Sequence, residues 1–399
     1  MKQNKPKSGF TRLFWREVAL VAKDHSLLLT LLIAPLLYAF FYGSIYINKE
    51  EEHVKLAVVD DDNTTLSRLL MQNIDKSQIV DLIHFPNLGE AKEYMYQGNC
   101  QGYFYIPKDT EKSLYTLKQA NVVLAVNAAR FLPSSDLLAN VQQICLTIGA
   151  GVRLKYFQQT QGLTNEAAMQ QVAPVSLDYR PLFNERSSYG GFLLPGLLAL
   201  ILQQTLLIGL SESVAAERER KSVQLWNTGN LSEAIWGKGL FYLLLFGCYA
   251  FFFLNINFHL LNIPMRGSGF QLGLLFLLLL LTLIPMAQFI GSLFKSQLIC
   301  LQVMAFSTYP IFLITGYTWP YESLPLPLQW ISSLLPTTPF IKIYTAIVQA
   351  GAGITTDFGT LFHLILLWLL YSILAYYRIY RISKKAAKEL PSQLQVPAP

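Results

Sequence analysis

Six apolar stretches, each about the length of a bilayer-crossing helix, constrain this chain more than any other feature. They run from about Ser26 to Ile47, Tyr189 to Leu210, Gly239 to Leu261, Phe270 to Leu293, Gln297 to Tyr317 and Phe358 to Tyr380. A helix needs about 20 mostly apolar residues to cross roughly 30 Å of hydrocarbon. Lipid offers no partner to a free N–H or C=O, so such runs are expected as helices. The expected fold is a membrane all-α bundle of six transmembrane helices. Residues 26–47 form the first span and residues 189–380 carry the other five. Residues 48–188, between the first and second spans, read as a small α/β domain. Aromatic rings gather at span ends (Tyr42, Tyr46, Tyr317, Trp319, Tyr376, Tyr377), where the interface suits them.

Only 14% of the residues are charged, against roughly 25% in an ordinary soluble domain. The net charge of +6 sits in the flanks of the apolar runs. It forms no basic stripe with interleaved aromatics, which excludes nucleic acid as a partner. Lys2, Lys5, Lys7, Arg12, Arg16 and Lys23 precede the first run, and Arg218, Arg220, Lys221 and Lys238 separate the second from the third. Lys295 follows the fourth, and the tail 381–399 with its lead-in holds Arg378, Arg381, Lys384, Lys385 and Lys388. The alternate short loops carry only Arg266 and Lys342. By the positive-inside rule both termini are cytoplasmic, and residues 48–188 are extracytoplasmic. The first run is too long for a signal peptide and lacks a small-x-small site after it, so it reads as a retained span.

Residues 1–25 hold an amphipathic elbow helix, with Phe10, Phe14, Val18 and Val21 on one face and Arg12, Arg16 and Lys23 opposite. Such a helix lies in the headgroup plane against membrane lipid. In the outside domain, strands are expected at Val54–Val59, Ile79–Phe85, Gly102–Ile106 and Val122–Val126. Helices are expected from Leu66, from Gly89 to Tyr96 and from Asp136 to Gln159. This alternation suits a mostly parallel sheet. The triplet Asp60, Asp61, Asp62 lacks EF-hand spacing and reads as a turn and helix cap. Cys100 and Cys145 share an oxidising compartment, so a disulfide between them stays open.

The stretch from Ser211 to Trp226 is densely charged in mixed sign and follows a span directly. Residues 212–228 read as a short helix. Glu217, Arg218, Glu219 and Arg220 are followed by an apolar ridge that includes Leu225 and Trp226, a pattern suited to docking in a partner's cleft. The plainer reading is a solvated connector. No G-x-x-x-x-G-K-[ST], G-x-S-x-G or H-E-x-x-H occurs, and the four cysteines form no CxxC. No catalytic residue, metal site or cofactor is expected in this chain. Within the spans, Gln203, Gln204, Asn255, Gln288 and Gln302 are candidates for a substrate path. No charge is expected deep in a span, which disfavours a proton-coupled carrier.

One span, a large outside domain and five further spans with a charged helix after the second resemble the ABC-2 type exporter permeases. Among these, the chain is most similar to bacterial permeases paired with HlyD-type periplasmic adaptors and implicated in drug efflux. The outside domain is similar through Lys55–Leu56–Ala57–Val58–Val59–Asp60 and Gly102–Tyr103–Phe104–Tyr105–Ile106–Pro107. More specific is Thr315–Gly316–Tyr317–Thr318–Trp319–Pro320, followed by Leu324–Pro325–Leu326–Pro327 and Leu335–Pro336–Thr337. The resemblance implies that residues 320–350 form re-entrant helices dipping into the outer leaflet, with Gly316, Pro320, Pro325, Pro327 and Pro336 as their motif. The family's E-[KR]-E-x-G-T-x-E-x-L is met by Glu217–Arg218–Glu219 but not by Lys221, Ser222 and Gln224. That departure implies an altered contact, as in the divergent half of a heterodimer. The resemblance further implies ATP and Mg on a separate ABC ATPase, a second permease copy or paralogue, an HlyD-type adaptor and the bacterial inner membrane. The substrate would be hydrophobic or amphipathic and would be exported. The competing expectation is a non-transporting receptor or assembly anchor with a ligand-binding outside domain.

Overall fold

The computed structural model describes residues 9–45, 53–77, 79–116, 118–172, 182–183, 189–220, 231–263 and 265–393. For 9, 10, 12, 231–234, 257 and 386–393 only the backbone is described. The chain divides into two compact units, 1–47 with 190–399, and 48–189.

Helix α1 covers Gly9–Lys23. Asp24 then breaks the chain in an extended conformation, and its Oδ1 accepts the N–H groups of Ser26 and Leu27 at 3.2 and 3.4 Å. This caps α2 (His25–Leu28), which runs through a π-helical turn at Leu29–Ile33 into α3 (Ala34–Ile45). Together they form one apolar helix, His25–Ile45. The buried side of α1 includes Val21 of the expected face, with Phe14 and Val18 half-buried, and turns to take in Glu17 as well. Glu17 and Val21 are buried and Leu13 and Leu20 half-buried, while Phe14 packs edge-on to Phe241 at 6.2 Å.

In the second unit the order is β1 (Val54–Asp60), α4 (Thr65–Asp75), β2 (Val80–His84), α5 (Leu88–Tyr96), β3 (Gly102–Ile106), α6 (Thr110–Tyr115), β4 (Val123–Val126), α7 (Phe131–Gln161) and α8 (Asn165–Val172). The sheet runs β2-β1-β3-β4. β1 is parallel to both neighbours, with Val54 opposite Val80 and Leu56 opposite Gly102, and β4 is antiparallel to β3. Leu56, Ala57, Val58 and Val59 are all buried because helices cover both faces, which is why β1 reads as an unbroken apolar run. Leu56 and Val58 meet Leu66 and Leu70 of α4 and Leu137 and Val141 of α7; Ala57 and Val59 meet Ala91 and Cys100.

The acidic triplet is spent on turns and caps. Asp60 accepts the N–H groups of Asp62 and Asn63 at 3.1 and 3.0 Å. Asp62 accepts those of Thr110 and Glu111 at 3.0 and 3.1 Å, and Asp61 accepts the Tyr105 hydroxyl at 3.0 Å. Cys100 lies in the cluster on one face of the sheet and Cys145 packs on the other, and both thiols are free. The disulfide left open by spacing is therefore not formed.

In the first unit α9 (Tyr189–Glu219) precedes α10 (Leu231–Phe252), which runs through a π-helical turn into α11 (Phe258–Leu260). Then come α12 (Gly269–Gly291), α13 (Gln297–Ile314), α14 (Leu326–Ser333), α15 (Thr337–Val348) and α16 (Phe358–Gln393). α9 is the core of this unit, with Leu194, Leu202, Leu206 and Leu210 fully buried. The helices around it expose Leu298, Ile299 and Phe306 of α13 and Ile373 of α16, as lipid-facing surfaces require. α14 and α15 are bent by 81°.

Among the described residues seven helices are long and apolar enough to cross a membrane. Six of them overlap the expected spans, and the seventh is α7. α7 belongs to the α/β unit, where Leu137 and Val141 hold it on the sheet. The chain is a multi-pass membrane protein with an inserted α/β unit.

Candidate functional site

The sequence placed a separate docking helix over residues 212–228. Instead α9 continues unbroken to Glu219, so the charges extend the central helix. Arg220 is the last residue described before 231. Lys221, Ser222, Gln224, Leu225 and Trp226 lie outside the described residues.

The charged end of α9 turns into the bundle. Glu217 is 1% exposed, and its Oε1 accepts Arg16 of α1 at 2.7 Å and faces Lys238 of α10 at 3.4 Å. Glu17 of α1, also 1% exposed, pairs through Oε2 with Lys238 at 2.7 Å. Its Oε1 accepts the hydroxyls of Ser213 and Tyr242, the latter at 2.7 Å. Lys238 donates onward to Ser213 Oγ at 2.7 Å. Two carboxylates and two cations thus share one buried cluster. Desolvating each ion costs several kcal/mol, which pairing offsets only when the hydrogen bonds are also filled. Here both carboxylates and the ammonium have partners. Glu212, Glu217 and Lys238 are buried in protein just beyond the expected spans 189–210 and 239–261, so they do not touch the expectation of no charge deep in a span.

The remaining charges fasten neighbouring helices. Arg218 donates to the carbonyls of Ser292 and Phe294, the latter at 3.0 Å, just past the C-terminus of α12 where carbonyls lack helical partners. Glu219 accepts the Gln297 N–H at 2.7 Å at the start of α13, where a negative charge suits the helix dipole. Gln297 also donates to Glu212 at 3.0 Å and to Asp24 at 3.1 Å, and Asp24 pairs with Arg220 at 3.0 Å. Burial alone would push the Asp24 carboxyl up. Hydrogen bonds from Gln297, the Leu27 N–H and Arg220 outweigh it and leave the group below its ordinary range, ionised at neutral pH. The last turns of α9 therefore hold α1, the start of α2, α10, the α12–α13 turn and α13 together.

The opposite end of α9 carries a second tie. Pro195 has no N–H, and one residue on, the Gly196 N–H donates to the Tyr317 hydroxyl at 3.1 Å, which in turn donates to the Phe192 carbonyl. The hydroxyl occupies the rung that residues 196 and 192 would otherwise form, a recognised way of opening a helix. The Tyr317 ring stacks on Phe192 with centroids 5.2 Å apart, and Tyr344 donates to the Pro195 carbonyl at 2.7 Å. Tyr317, expected in an interfacial belt, is 7% exposed. Gly316, at φ +84°, turns the chain so that Tyr317 can enter. Pro320 precedes the turn Tyr321–Ser323. Pro325 and Pro327 open α14, and Pro336 opens α15, positions where a missing N–H costs nothing. Tyr317→Phe lets the 196–192 rung close and should change stability by less than about 1 kcal/mol. Tyr317→Ala leaves a cavity and should cost about 3–5 kcal/mol, read as a shift in thermal unfolding of the detergent-solubilised protein.

The five candidate path residues separate. Gln204 joins α9 to α13 through the Met304 carbonyl and Ser307 at 3.3 and 3.4 Å. Gln288 joins α12 to α10 through the Ile235 carbonyl at 2.9 Å. Gln203 and Gln288 each keep a buried Oε1 with no partner among the described residues. Asn255 and Gln302 are exposed, and Asn255 lines an apolar groove of about 750 Å³ with Gly247, Gly273 and Phe251. Sequence reasoning missed Glu17, Ser213, Lys238 and Tyr242. The available signals were a lone carboxylate at i+4 between Leu13 and Val21, and a lysine set between glycines at the head of an apolar run.

Comparison with known proteins agrees with this architecture. YbhS of Escherichia coli K12, a "Probable multidrug ABC transporter permease", is 20% identical over 349 residues, covering 84% of this chain and 87% of the relative. The "Linearmycin resistance permease protein LnrN" of Bacillus subtilis is 24% identical over 367 residues, 86% and 92% of the two chains. The "Inner membrane transport permease YhhJ" of E. coli K12 is 29% identical over 191 residues, 45% and 49%. The model of the ABC-2 family transporter proteins matches residues 25–377, from the first span to the last. With nearly every element described above inside that match, the chain belongs to the ABC-2 transporter family.

Proposed function

We propose that this chain is the membrane-spanning permease subunit of an exporter whose ATP and Mg are bound by a separate ABC ATPase. Six of the seven apolar helices, all but α7, would cross the bilayer, with both termini and the charged end of α9 on the cytoplasmic side of a bacterial inner membrane. A second copy or a paralogue would complete the pore, and an HlyD-type adaptor would meet the outside domain. The observation that carries this reading is the continuity of α9 from Tyr189 to Glu219, with its last turns bonded to α1, α10 and α13. Residues 221–230 join α9 to α10. A partner gripping Leu225 and Trp226 would therefore pull on two helices whose ends are already locked by Glu217 and Lys238. Glu217, Arg218, Glu219 and Arg220 would pass the force inward, while residues 221–230 make the contact. The substrate would be hydrophobic or amphipathic, in keeping with relatives named for multidrug transport and linearmycin resistance.

The test is accumulation of a hydrophobic cationic dye in cells with and without the chain. Loss of the chain should raise dye retention several-fold, and the wild-type chain should reverse this. Leu225→Asp with Trp226→Asp should not, at equal membrane abundance. Unchanged retention across a panel of hydrophobic dyes and drugs would count against export of this class.

A further inference from the structure

At the charged end of the bundle, α10, α12 and α16 leave a groove of about 400 Å³ lined by Ile235, Trp236, Pro285, Leu369, Ile373 and Tyr377. Its wall is nearly all apolar carbon. Ser372 also lines it, and its hydroxyl has no partner among the described residues. α16 continues beyond the groove, and its next turns carry Arg378, Arg381, Lys384 and Lys385. The Arg381 guanidinium rests on the ring of Tyr377, itself a groove residue, 4.4 Å from the centroid, and Lys384 sits 5.8 Å from that of Tyr380. None of these four cations faces a carboxylate among the described residues, and Arg218 and Arg378 repel one another. This contrasts with the cluster around Glu17, where every cation is matched.

We propose that this groove is a binding site for an anionic phospholipid. The phosphodiester lies between Arg381 and Lys384, and an ester carbonyl accepts the Ser372 hydroxyl. An acyl chain fills the groove between Trp236 and Ile373. Arg381 and Lys384 lie four residues beyond Tyr377 and Tyr380, one turn further along the groove side of α16, so the cations follow the apolar groove in the order a lipid presents headgroup and chain. Cationic pockets between helices at the membrane surface attract anionic headgroups, each cation contributing through a field that salt screens. A second copy of the chain fits the site less well, because it would bring another uncompensated cationic cluster against the first.

The experiment is native mass spectrometry of the full-length detergent-solubilised chain titrated with dioleoylphosphatidylglycerol, dioleoylphosphatidylcholine or inorganic phosphate. Phosphatidylglycerol should bind at least tenfold more tightly than phosphatidylcholine, with affinity falling as salt rises. Arg381→Gln with Lys384→Gln should remove that preference and weaken phosphatidylcholine far less than phosphatidylglycerol. Ile373→Trp, which fills the groove, should weaken both lipids. Equal binding of the two lipids to the wild-type chain overturns the proposal without reference to any variant. So does complete displacement of phosphatidylglycerol by millimolar phosphate, or a lipid-free dimer insensitive to the double substitution.

Discussion

Lys238→Met is expected to cost the bundle about 3–5 kcal/mol, the usual penalty for stranding a buried charge. The ammonium serves two carboxylates, at 2.7 Å from Glu17 and 3.4 Å from Glu217. Once it is gone, Glu217 keeps Arg16, but Glu17 keeps only the Ser213 and Tyr242 hydroxyls at a position 1% exposed. Thermal unfolding followed by size-exclusion fluorescence should show the loss directly. Adding Glu17→Gln should restore most of it, because the two sites share one interaction and their effects are not additive. If the cluster only stabilises the fold, the double variant exports normally. If it transmits force from the ATPase side, the double variant is stable yet fails to lower dye retention. A single-substitution cost below about 1 kcal/mol would contradict the buried geometry itself.

Gly291→Val should be nearly as damaging, at about 3 kcal/mol, the upper end of the usual overpacking range. A Cβ at Gly291 would run into the Ser211 carbonyl and lie 2.9 Å from Val214 Cβ, and a helix backbone cannot yield as a side-chain tip can. Prising α12 from α9 would also strain the Ser211 hydroxyl bond to the Ala287 carbonyl, 3.0 Å, and the Arg218 bonds beyond the end of α12. The control is Gly247→Ala, where a Cβ meets nothing within 4 Å. There the gain in helix propensity should leave stability unchanged or raised by up to about 1 kcal/mol. Similar losses at both glycines would mean that α9 and α12 do not approach as described.

The helices themselves were legible because lipid imposes a length and a composition, and both survive in the sequence as apolar runs. The α/β unit was legible for a related reason. Leu56 to Val59 are buried on both faces of a parallel strand, so their hydrophobicity does not alternate. The charged cluster was not legible, because its partners lie far apart in the chain. Glu17 meets Ser213, Lys238 and Tyr242 across 196, 221 and 225 residues. The charges from Glu217 to Arg220 read as a docking helix or a solvated connector, and the fold gives each a partner on another element of the same chain: Arg16, Ser292, Gln297 and Asp24. Tyr317 misled in the same way. A tyrosine at a span end reads as an interfacial ring, and nothing local reveals that a proline two turns inside α9 leaves a place for its hydroxyl. The candidate path residues were chosen for polarity alone, and polarity inside a span also serves helix contacts, as Gln204 and Gln288 show.

In the function proposed above, a separate ATPase works on this chain through the end of α9 and residues 221–230. The most direct measurement is affinity capture of the tagged full-length chain from its native membrane, followed by Mg-ATP hydrolysis on the captured complex. The predicted result is a co-purified subunit carrying a phosphate-binding loop, with hydrolysis that is lost from the capture on Leu225→Asp with Trp226→Asp and kept on Gln302→Ala. Capture of the intact chain with no such subunit, or hydrolysis indifferent to the Leu225 and Trp226 substitutions, would contradict it.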